Sequence, residues 1–79
     1  MSNSIDQQVI DFTAVYTSRP VQEIHNSTIL TDIGIVTPAD LITYLTELED
    51  SFDLGYEPGD ENGIVTVGDA AILIEKKLG

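Results

Sequence analysis

Seventy-nine residues make one small domain, residues 1–79, which buries only about 60 to 65 per cent of the surface its unfolded chain exposes; a deep two-walled enzyme cleft has no room, and a binding module is favoured over an enzyme. Fourteen acids against three bases, Arg19, Lys76 and Lys77, give a formal charge of −11 that repels nucleic acid and anionic membranes and points to partners with basic surfaces. An apolar fraction of 42% in periodic placement argues against disorder, and the absence of cysteine removes disulfides and thiolate chemistry, which fits a cytoplasmic protein. The opening MSNSIDQQ has neither the basic region nor the apolar run of a signal peptide, and no stretch reaches the length of a membrane span.

Residues 1–3 are expected to be loose, with Ser4 or Ser2 capping a first helix over about residues 4–16. Ile5, Val9, Phe12 and Tyr16 recur at helical spacing, Ile10 and Val15 widen the stripe, and Pro20 is expected to end the helix. Residues 20–36 form a long connection whose apolar members, Val21, Ile24, Ile29, Leu30, Ile33 and Ile35, should cover the core, with Gly34 taking a backbone geometry that a side chain would hinder.

The central helix is predicted over 38–53. Thr37 is the N-cap, Pro38 suits the first helical position, and Asp40 completes a capping box. Leu41, Ile42, Leu45, Leu48 and Phe52 make its apolar stripe, and Asp40, Glu47, Glu49, Asp50 and Asp53 are read as solvent-facing acids. Gly55 is placed to stop it. A last helix over 66–78 starts at a second capping box, Thr66 with Asp69, and carries Val67, Ala71, Ile74 and Leu78 inward, with Lys76 and Lys77 at the favourable end of its dipole. The elements add up to an all-α fold.

The segment D-I-G-I-V-T-P, followed by an acidic helix ending E-L-E-D-S-F-D-L, resembles the acyl carrier proteins, whose loop reads D-L-G-x-D-S-L before a helix ending L-E-x-x-F. IVTVGDAAILIEKKL, residues 64–78, resembles the last helix of that family. The resemblance implies a four-helix bundle with three main helices, one short helix near 58–62 and a long first loop. It also implies an acidic second helix that docks on basic surfaces of acyl-transferring, synthase or ligase enzymes of fatty-acid, polyketide or related thioester pathways; here Asp40, Glu47, Glu49, Asp50 and Asp53 would fill that role, in a monomer.

The family attaches phosphopantetheine to a serine preceded by aspartate. Counting forward from Asp32 places Thr37 there, and counting back from Phe52 places Pro38, so neither register supplies the serine. The expectation is a carrier-like docking module with no phosphopantetheine arm by the usual route. Two alternatives stay open: an active carrier with an unusual attachment site near Thr37 and Pro38, and a calcium-dependent interaction module built on residues 60–71. Against the second, a 12-residue calcium loop counted from Asp60 puts Ile64 and Ala71 where oxygen ligands belong. His25 is the single histidine and offers no metal cluster.

Overall fold

Ser4 caps the first helix of the computed structural model, which describes residues 4–79; the expected looseness of residues 1–3 and the alternative cap Ser2 lie outside the described residues. Helix α1 runs Ile5–Thr17, with Ser4 Oγ accepting the Gln7 N–H at 3.1 Å. It ends earlier than Pro20 requires. Ser18 turns into the left-handed region at φ 57°, with its N–H reaching the Val15 carbonyl and the Arg19 N–H reaching the Ala14 carbonyl, so that the last turn's acceptors are paired.

Helix α2 spans Pro38–Asp50 behind the expected capping box: the Asp40 N–H donates to Thr37 Oγ1 at 3.1 Å, and the Thr37 N–H donates to the Asp40 carboxylate at 3.2 Å. It stops three residues short of the predicted end, and Gly55 is not the reason. Asp53 adopts φ 59°, and the Leu54 N–H folds back on the Glu49 carbonyl at 2.8 Å. Helix α3 spans Val67–Leu78 behind the Thr66–Asp69 capping box.

The short helix expected near 58–62 is absent. Gly59 and Gly63 take positive φ and break the segment into successive turns, closed by the carbonyls of Glu57, Gly59 and Glu61. The added helical turns lie in the first connection instead, as 3₁₀ segments Val21–Glu23 and Leu30–Ile33. Gly34 follows the second at φ 96°, as its sequence position suggested. The described residues thus form an all-helical fold of three α-helices and two 3₁₀ turns, with no strand beyond an isolated bridge between Ile29 and Thr66.

That bridge anchors the long connection to the start of α3. The Leu30 N–H donates to the Val65 carbonyl, the Val67 N–H to Thr28, and the Gly68 N–H to Asn26 at 2.8 Å. Gly68 is needed for this approach, because a β-carbon there would sit 3.0 Å from the Asn26 carbonyl oxygen. The connection then contributes Ile24, Leu30, Ile33 and Ile35 to one core with Val9, Leu45, Leu48, Val67, Ala70, Ala71 and Ile74. Val21 and Ile29 stay exposed, as do Val15 at 82% and Leu78, against the sequence expectation; Phe12 is only half-buried.

Tyr44, absent from the expected stripe, is fully buried and packs edge-on to Tyr16 at 5.3 Å between ring centroids. Its hydroxyl lies 2.6 Å from Thr13 Oγ1, which also donates to the Val9 carbonyl at 2.7 Å. Thr13 has one hydroxyl hydrogen, so the Tyr44 O–H is the donor of the pair. Burial pushes the Tyr44 phenol up to about 12.

This assignment predicts unequal costs. Thr13→Val strands a buried donor and should cost about 1–3 kcal/mol in urea unfolding, while Tyr44→Phe removes only a second bond to Thr13 and should cost about 0.5–1.5 kcal/mol. A larger loss for Tyr44→Phe would reverse the donor assignment.

Candidate functional site: the two faces of the central helix

Successive residues on a helix are about 100° apart, so Asp40, Thr43, Glu47 and Asp50 fall on one stripe of α2. All four are exposed. Asp40 is held below the usual carboxylate range, chiefly by the Thr37 N–H. Tyr16 on α1 borders the stripe, and its phenol is raised by burial and by the nearby charges of Glu47 and Asp40. Asp53 is exposed as well, although it sits past the helix end in the left-handed turn.

Glu49 is a correction. Read as a solvent-facing acid, it is 0% exposed, because it lies about half a turn from Asp40 and one turn beyond Leu45, on the buried side. Its Oε1 meets the ammonium of Lys77, which reaches in from the last turn of α3. The same ammonium pairs with Asp60, donates to the Gly55 carbonyl at 2.9 Å and lies 3.5 Å from Glu57. Glu49 Oε2 is buried with no hydrogen-bond partner.

The electrostatics follow from this crowding. Burial raises Glu49 above the usual carboxylate range, with Lys77 pulling the other way and Asp60 adding to the rise. Burial also opposes the charge of Asp60, but Lys77 and the Glu57 N–H hold its carboxyl below the usual range. For Lys77, desolvation is outweighed by Asp60 and Glu49, and its ammonium is held protonated above the ordinary lysine range. Alongside, the Tyr56 O–H donates to Glu61, which pushes the phenol up to about 12.

Thr37 and Pro38 line a mostly apolar cleft of about 370 Å³ together with Leu30, Ile35, Val36, Leu41, Ile64 and Val65. Both are exposed. The Thr37 hydroxyl is engaged in the cap, Pro38 has none, and no base stands next to either in the sequence. Among the residues weighed for calcium, Asp60 faces Lys77, while Asp69 accepts the N–H groups of Val65 and Thr66, each at 3.0 Å, and is thereby held below the usual carboxylate range. The two carboxylates serve separate local roles.

Sequence reading missed the Glu49–Lys77–Asp60 cluster. Half of the signal was available, since Glu49 keeps helical register with Ile42 and Leu45. The other half was not, because only the folded turns bring Asp60 to the end of α3. No protein-family model matches the chain, and no curated protein is significantly similar to it. No helix among the described residues is long and apolar enough to cross a membrane.

Lys77→Met should destabilise the fold by about 3–5 kcal/mol, because it leaves nearly buried carboxyls without their cation. Lys76→Met, on an exposed side chain one residue away, should change stability by less than about 0.5 kcal/mol. Equal effects in thermal or urea unfolding would contradict the placement of Lys77.

Proposed function

We propose that this protein is an acidic docking module of acyl-carrier-like character, carrying no phosphopantetheine arm by the usual route. The observation that supports it best is the exposed acid stripe of α2, Asp40, Glu47 and Asp50, on a helix without a single basic residue. Its partner presents a basic surface and belongs to the acyl-transferring, synthase or ligase enzymes of thioester pathways. Long-range attraction between the two surfaces raises the association rate more than it raises affinity, and it weakens as salt screens it.

A second reading, an active carrier modified near Thr37 and Pro38, draws support from the apolar cleft at their side, which is large enough for a short acyl group. The two readings separate on one reaction. Incubation with a broad-specificity phosphopantetheinyl transferase, magnesium and coenzyme A should leave the intact mass unchanged; a gain mapped to Thr37 would establish the active carrier. Docking is tested by binding kinetics against carrier-dependent ligases and synthases. The Asp40→Lys/Glu47→Lys double variant should lower the association rate at least about tenfold at low salt, in line with the range of electrostatic steering. Association indifferent to that reversal would count against the docking face.

A further inference from the structure

The loop from Leu54 to Val65 lies over the ends of α2 and α3 and supplies Glu61, Asn62, Gly63, Ile64 and Val65 to one wall of the apolar cleft. Its Leu54, Tyr56 and Ile64 pack against the core, and the polar group that ties it to the ends of both helices is the Lys77 ammonium. That group links Glu49 of α2 with Gly55 and Asp60 of the loop.

The cluster does not balance with every carboxyl ionised. Glu49 is fully buried and the Asp60 side chain is 13% exposed, yet a single ammonium faces both. Glu57 adds a third carboxylate from the solvent side. Because Glu49 and Asp60 touch the same nitrogen, their carboxyl groups crowd one another, and Oε2 of Glu49 is left buried without a donor. A buried carboxylate oxygen without a donor carries a large desolvation penalty that a hydrogen removes.

We infer that Glu49, Asp60 and Lys77 form a one-proton clasp on the loop: it is closed when Glu49 carries a hydrogen on its carboxyl, and it loosens when that hydrogen passes to water. With the hydrogen in place the trio is neutral, as one carboxyl, one carboxylate and one ammonium. Without it, a net negative charge is enclosed beside the cleft. The charged and titratable groups that act on Glu49 are Asp60 and Tyr56 from the loop and Lys77 from α3; beyond them Glu57 faces Lys77, Glu61 accepts from Tyr56, and Lys76 lines a hollow with Asp60. The device stands on this cluster whatever partner α2 takes.

The sign of the pH response follows. Opening releases the Glu49 hydrogen, since the freed side chain returns to the ordinary glutamate value; rising pH therefore favours opening, by about tenfold per pH unit until the clasp's own midpoint is passed. Asp60, held low, acts the other way: falling pH favours opening only below the ordinary aspartate range. The clasp is tightest between the ordinary aspartate and glutamate values, near about pH 4, and the cleft wall gains mobility as the pH rises above them.

The test is carbon-detected NMR titration of the side-chain carboxyls in the full chain, together with amide exchange of residues 54–65 corrected for intrinsic chemistry. Glu49 should titrate above the ordinary value of about 4.3, and protection of the loop should fall over the same interval. Glu49→Gln, a neutral isostere of the protonated side chain, should keep the loop protected across that interval. A Glu49 midpoint at or below the ordinary value would overturn the proposal, and needs no variant to fold. So would loop protection in Glu49→Gln that still falls with pH, or wild-type protection set by added calcium or potassium instead of by pH.

Discussion

The rest of the architecture depends on one ammonium drawn into the protein. With three bases in the chain and fourteen acids, most carboxylates have no basic side chain to pair with. Lys77 is the exception that lets two acids turn inward, and through them it connects the last turn of α3, the last turn of α2 and the loop between. A cation in such a place is worth more as a connector than as a source of stability, since desolvation offsets much of the attraction. Removing it would leave carboxyls that have nowhere to go.

The inward use of Glu49 sharpens what remains outside. Asp40, Glu47 and Asp50 form a stripe that pairs with no basic side chain among the described residues, on a face of the helix turned away from Glu49. Self-repulsion along it disfavours the compact state, and a basic partner would relieve that strain, which gives the stripe a physical reason to bind. The apolar cleft lies by the N-terminal end of the same helix, lined by residues of the long first connection and of the loop that Lys77 touches. The acid stripe and the cleft thus occupy neighbouring parts of one small structure.

Much of this was legible in the sequence because it is local. Thr37 with Pro38 and Asp40, and Thr66 with Asp69, are short-range patterns whose hydrogen bonds form within four residues, and both caps lie where the residues put them. The end of α2 was less legible, since Asp53 takes the left-handed turn usually left to glycine while Gly55 does not. Long-range contacts were the least legible. Nothing near Tyr44 announces Thr13, nothing near Gly68 announces the Asn26 carbonyl, and a turn of glycines that reads as a short helix by analogy becomes a string of turns once Gly59 and Gly63 take positive φ. Charge patterning misled for the same reason: counting acids on α2 does not say which one has a lysine waiting across the fold.

The central claim is that Lys77, and not its neighbour Lys76, is held in the interior. It is tested most directly by nitrogen–proton NMR of the two lysine ammonium groups. The account predicts a Lys77 Nζ signal whose hydrogens exchange with water far more slowly than those of Lys76 and persist to higher pH. Two ammonium groups exchanging alike, both at the rate of a freely solvated lysine, would contradict it.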